Sequence, residues 1–123
     1  MGNYTYAFEN LAVWKTNRVF TKKLYFKTKA FPKEELFGIT SQIRRATISI
    51  SCNLAEGSAR KSRQEQSRYY EIAYGSAVEV VNLLILSNDL ELLSNEDYSE
   101  LRSDIEKVTY QINRLYGGNS KEG

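Results

Sequence analysis

Proline occurs once in this chain, at Pro32, and glycine only seven times in 123 residues. These two residues break regular backbone, so their scarcity favours long uninterrupted segments over a strand-and-turn fold. The breaks that exist are regularly spaced. "KAFPKEE" puts Pro32 just ahead of two glutamates, with proline in a first helical turn and carboxylates near the positive end of the dipole. "EGSARKSRQE" puts Gly57 at a helix end, and Ser62 with Glu65 has capping-box spacing for the next start. "LLSNEDYSE" offers Ser94 or Asn95 as an N-cap with acids in the first turn, and "YGGNSKEG" closes the last helix. These stops mark four helices, at about 8–29, 33–57, 63–91 and 95–116, in one domain over 1–116 with a disordered tail at 117–123. Similar lengths and short links make the expected fold class all-α: an antiparallel up-down-up-down four-helix bundle, assembling as a homo-oligomer.

Periodicity supports each helix. In the fourth, Tyr98, Leu101, Ile105, Val108, Ile112 and Leu115 repeat at threes and fours. In the third, Tyr70, Ala73, Tyr74, Ala77, Val81 and Leu84 form one broad face. The second is contested, because "TISIS" alternates as a half-buried strand does. At 100° per residue, however, Ile39, Ile43, Ala46, Ile50, Leu54 and Gly57 fall on one face, a match across six positions that a strand leaves unexplained. The same wheel puts Gln42, Arg45, Ser49, Asn53 and Glu56 in a narrow polar stripe, with Phe37, Ile48, Cys52 and Ala55 apolar beyond it. Helix three likewise carries Ile72, Leu83 and Leu86 outside its main face. Apolar surface on both flanks of a stripe implies neighbours on two sides, hence the oligomer. Within it, Arg45 and Glu56 are boundary residues with wet tips, members of an interface network or, least favoured, part of a ligand or catalytic site. The network is the favoured reading, since a charge left unpaired in a buried interface costs several kcal/mol.

Composition narrows the function. The chain has no histidine, which removes Ser–His and Cys–His nucleophile pairs, histidine metal ligands and the usual proton shuttle near neutral pH. It is therefore expected to be no enzyme, with no catalytic residues, no metal and no cofactor. Asp89, Glu91, Glu96 and Asp97 read as solvated helix caps, and Cys52 as a small buried residue. Gly75, inside helix three, reads as a point of close helix approach. A single cysteine suits a reducing cytoplasm. No apolar run of about 18 residues suggests a membrane span, so no membrane contact is expected.

Charge is distributed unevenly. Residues 1–33 hold seven Lys/Arg against Glu9 alone, residues 34–68 six against four acids, and residues 69–123 four against ten. On helix one, Lys15, Arg18, Lys22 and Lys29 share a stripe flanked by Trp14 and Tyr25 on one side and Val19 and Phe26 on the other. Cations hold phosphates and flat side chains stack on bases, so the pattern suits RNA or single-stranded DNA. The expected contact surface is Lys15, Arg18 and Lys22 with Arg60, Lys61 and Arg63 of "ARKSR", at the same end of the bundle. Lys27, Lys29 and Lys33 are expected to face the acidic "SNDLELLSNED" and be neutralised there. The competing reading is a protein-interaction scaffold or accessory subunit, with the lysines merely solvated.

"FENLAVW", "FP" and "FG" ahead of helix two, "SQIRRA", "SISCNLAEG" and "IAYGS" together span most of residues 8–87. In these motifs the chain resembles the small bacterial four-helix-bundle proteins first noticed as products of intervening sequences within large-subunit ribosomal RNA genes. Its last helix matches in pattern only. The resemblance implies a ring-shaped homopentamer, an association with nucleic acid, and a possible protein partner such as a reverse transcriptase, since related proteins are accessory factors of diversity-generating retroelements.

Overall fold

The computed structural model describes residues 2–117. Its regular elements are the helices α1 (Ala12–Thr28), α2 (Ile39–Ser58), α3 (Arg63–Asp89) and α4 (Asn95–Ile112), with short turns at Ala7–Asn10, Lys33–Glu35 and Asn113–Gly117. No strand occurs among the described residues, and no helix there is long and apolar enough to cross a membrane.

The two later helices begin where their caps predict. The Ser62 hydroxyl accepts from the Glu65 amide at 3.1 Å, and the Ser94 hydroxyl from the Asp97 amide at 3.0 Å, each satisfying a donor that the first turn leaves unpaired. The two earlier helices begin later than the sequence suggests. Leu11 is extended (φ −72°, ψ 123°), which separates the turn Ala7–Asn10 from α1, so α1 starts at Ala12 and not near 8. Pro32 opens only the 3₁₀ turn Lys33–Glu35, and α2 starts at Ile39 behind Gly38. Glycine is among the poorest helix formers, so a helix continuous from residue 33 would carry it at a cost. Gly57 lies inside α2 rather than ending it, because Ala59 is the C-cap. Helix α3 stops at Asp89, two residues early, where Glu91 turns the chain with φ 63°. The amides of Leu92 and Leu93 then return to the Ser87 carbonyl at 2.9 and 3.2 Å, closing the helix end. Helix α4 ends at Ile112 and passes into a wider π-type turn, Asn113–Gly117. Beyond Gly117 the expected tail lies outside the described residues.

The "TISIS" stretch is helical, and its polar groups show why. Thr47 is buried, and its hydroxyl donates to the Ile43 carbonyl one turn back at 2.8 Å, so a β-branched residue sits in the core without an orphan donor. Ile43, Ile50 and Leu54 on the same helix are fully buried against Phe20 and Leu24 of α1, Ala73, Ala77, Val80 and Leu84 of α3, and Leu101, Ile105, Val108 and Ile112 of α4. Each large aliphatic side chain so buried contributes roughly 1.5–3 kcal/mol, more than the local strand preference opposes. Leu83, expected outside the main face of α3, is also core. Asn17 of α1 is a buried polar residue in this core. Its amide donates to the Thr47 carbonyl at 3.2 Å and the Ser51 hydroxyl at 2.9 Å, pinning α1 to α2. Helix α1 packs on α2 and α4, and α3 packs on the same two.

Candidate nucleic-acid interface

The cations of α1 divide by which neighbour they face. Lys23 and Lys27 point to α4: the Lys23 ammonium lies 2.8 Å from Glu100 and 2.7 Å from Asp104, and the Lys27 ammonium 2.8 Å from Asp97. The hydrogen bond from Lys23 holds the Glu100 carboxyl below the usual carboxylate range, and Asp104 and Glu100 hold the Lys23 ammonium above its ordinary value. Asp97 does the same for Lys27. Lys15, Arg18, Lys22 and Lys29 are exposed, and no carboxylate of the described residues lies within salt-bridge reach of them. Of the cations expected to be neutralised by the acidic segment, only Lys27 is; Lys29 and Lys33 remain exposed and unpaired among the described residues.

The loop cations follow the same pattern. Arg60, Lys61 and Arg63 are exposed with no described carboxylate in salt-bridge reach. Arg60 lies over the Tyr69 ring at 5.4 Å and Arg18 over the Trp14 ring at 5.4 Å, within reach of a cation–π attraction. Asn17 meets Thr47 and Ser51, whereas Thr28 receives the Arg44 guanidinium at 2.9 Å. Later residues of α1 thus meet earlier residues of α2, and the start of α1 lies towards the end of α2 that leads into Arg60. Lys107 was missed by the sequence reading, because it sits in the acidic half of the chain. It lines one cleft between α1 and α4 with Lys15, Lys23 and the carboxylate of Asp104, alongside Thr16, Val19 and Phe20.

The polar stripe of α2 is shared unequally. Ser49 and Asn53 are half-buried and bonded: the Ser49 and Ser76 hydroxyls are 2.8 Å apart, and the Asn53 amide donates to the Ser49 carbonyl at 2.9 Å. Gln42, Arg45 and Glu56 are exposed, and within a single chain neither Arg45 nor Glu56 has an ionic partner among the described residues. Cys52 is exposed, not buried as expected, since it projects from the side of α2 opposite the core. Gly75 meets nothing within 4 Å; the close approach belongs to Gly57, against Tyr69 and Tyr70.

The sequence pattern of the 23S rRNA-intervening sequence proteins matches residues 9–114, which takes in all four helices and every one of these cations. The chain belongs to the 23S rRNA-intervening sequence protein family. A crystal structure of a protein with unknown function from the S23 ribosomal protein family of Bacteroides thetaiotaomicron VPI-5482 has the same fold. Its TM-score is 0.79 at 22% identity, over 85% of this chain and 98% of that one. No curated protein matches. The match to the intervening sequence family includes α4, where the sequence reading found only a pattern, because α4's acids and apolar spacing carry few distinctive residues. Tyr4, Tyr6 and Phe8 precede the matched residues.

Proposed function

We propose that this chain is a non-enzymatic, oligomeric helical-bundle protein that binds RNA or single-stranded DNA through Lys15, Arg18, Lys22, Arg60, Lys61 and Arg63. The observation that carries this reading is the division of the α1 cations. Those facing α4 are consumed by Glu100, Asp104 and Asp97, which leaves a solvent-facing set without compensating acids, two of its arginines laid on aromatic rings. A net charge of only +2 therefore conceals a basic surface, and several copies in one assembly would multiply its weak contacts through effective concentration. The reversed order of the α1–α2 and α1–α4 pairings supports an up-and-down arrangement, and the resemblance to the intervening sequence proteins supports a ring of five. A second reading, a protein-interaction scaffold, is favoured by the exposed Phe37 and Ile48 on the outer side of α2.

The test is a salt titration of binding to structured RNA and to single-stranded DNA. Affinity should fall steeply with salt, and a Lys15/Arg18/Lys22→Ala variant should lose most of it, with a slope shallower by about 2 for three lost single-strand phosphate contacts. A Lys23/Lys27→Ala variant should bind nearly as the wild type does. No binding at low salt, or equal losses in both variants, would sink the reading and leave the scaffold.

A further inference from the structure

We infer that the aromatic run Tyr4, Tyr6, Phe8 and Trp14 is a stacking platform for unpaired bases. The inference rests on the nucleic-acid reading above and specifies its ligand: a strand that is single at the point of contact. The four rings form a continuous ladder at the entrance to α1. Tyr4 and Tyr6 meet edge to face with centroids 4.9 Å apart, Tyr6 and Phe8 lie within 27° of parallel at 6.2 Å, and Phe8 meets Trp14 edge to face at 5.0 Å. The outer rungs are not core residues, since Tyr4 is 77% and Tyr6 59% exposed. Exposed rings are ordinarily free to swing, but here the backbone beneath Tyr6 is fixed. Its amide donates to the Glu9 carboxylate at 2.8 Å and its carbonyl accepts from the Glu9 amide at 3.0 Å. The backbone that carries Tyr6 is therefore fixed before any ligand arrives, which lowers that part of the entropy cost of binding.

The ladder ends in cations. Trp14 carries Arg18 on its face, and the turn Ala7–Asn10 packs against α2, the helix that leads into Arg60. Flat rings for bases with guanidinium groups for phosphates is the combination that single-strand binders use. A duplex hides the faces of its bases and has no use for exposed rings.

Trp14 is the chain's only tryptophan, so its fluorescence reports directly on the platform. The experiment titrates the full-length protein with an oligothymidylate of about 20 nucleotides, longer than a single-strand site, and with a duplex of the same length. The strand should bind more tightly than the duplex and quench Trp14. A Tyr4→Ala/Tyr6→Ala variant should bind the strand at least roughly tenfold more weakly with duplex binding unchanged, and Tyr6→Trp should retain full affinity. Both tyrosines are exposed, so the variant's thermal melt by circular dichroism should match that of the wild type. If the variant binds the strand normally while Lys15/Arg18/Lys22→Ala does not, the platform is refuted and the basic surface stands. Equal affinity for strand and duplex refutes it as well. If the wild type binds neither, the nucleic-acid reading fails and this inference with it. A change in assembly mass with unchanged binding would mean that the rings clasp a neighbouring copy, which also overturns it.

Discussion

Gly57 and Gly75 stand in helices, in the similar contexts "AEGS" and "AYGS", yet their surroundings are opposite. A Cβ on Gly57 would lie 2.7 Å from Tyr70 Cε1 and 2.9 Å from Tyr69 Cβ, whereas one on Gly75 would meet nothing within 4 Å. Alanine is the better helix former by about 1 kcal/mol at either position. At Gly57 the overlap outweighs that gain, and Gly57→Ala should destabilise by about 1–3 kcal/mol as α2 and α3 are forced apart. At Gly75 the gain stands alone, and Gly75→Ala should stabilise by about 0.5–1 kcal/mol. Urea melts of both variants check the pair. A loss at Gly75 would mean that a neighbouring copy presses on that side of α3. Nothing in the two tetrapeptides distinguishes these glycines, because the deciding atoms come from Tyr69 and Tyr70 across the helix pair. Asn17 was equally hidden: a hydropathy pattern scores it as surface, and only the carbonyl of Thr47 and the hydroxyl of Ser51 make its burial tolerable.

Between elements, α1 and α4 are joined by charge as well as by core packing, and this makes stability depend on pH in a defined sense. The Glu100 carboxyl is held down chiefly by its hydrogen bond from Lys23. A carboxylate depressed in the folded state contributes stability above its unfolded value of about 4.3, and the contribution is lost as pH falls through the lower folded value. Lys23 and Lys27 are raised by their acidic partners. Their contribution is complete below an unfolded value of about 10.4 and disappears as pH rises through the higher folded one. The Lys23–Glu100 pair therefore acts fully from about pH 5 to 10 and fades on either side. In dilute buffer the melting temperature should fall between pH 5 and 3 more steeply for the wild type than for Lys23/Lys27→Ala, and added salt should narrow the difference. Parallel slopes would show the pairs to be energetically silent. At this scale the sequence was most readable where a side chain near the break marks it, as Ser62 and Ser94 do for α3 and α4. It was least readable at α1 and α2, where Leu11 and Gly38 interrupt without a capping side chain. The charge stripe was half legible: Lys22 and Lys23 are adjacent, and which one α4 neutralises depends on where α4 packs.

For the whole molecule, the outer surface of α2 and α3 carries the large exposed apolar side chains on which the proposed assembly can be tested. Phe37 is 92% exposed, and Ile48, Ile72, Leu86 and Leu90 are exposed with it. Phe37 and Ile48 lie on α2 and its approach, Ile72, Leu86 and Leu90 on α3 and its end, so one chain presents two different apolar areas. Copies that join one area to the other make head-to-tail contacts, which close into a ring when the rotation permits. Arg45 and Glu56, without ionic partners among the described residues of their own chain, would find them across such a contact. Sedimentation of the wild type should then give several times the 14.2 kDa chain mass, with five copies the number that the resemblance implies. Ile48→Glu should give a monomer, because a carboxylate cannot be buried there without a partner, while its helical content stays unchanged, since Ile48 is no part of the core. Cys52, exposed one turn beyond Ile48, supplies an independent readout. Its thiol should react slowly with Ellman's reagent in the assembled wild type and rapidly in Ile48→Glu. An assembly that survives the substitution, or a thiol equally reactive in both proteins, would mean that copies do not meet on the outer side of α2, and the contact would have to be sought on α3 alone.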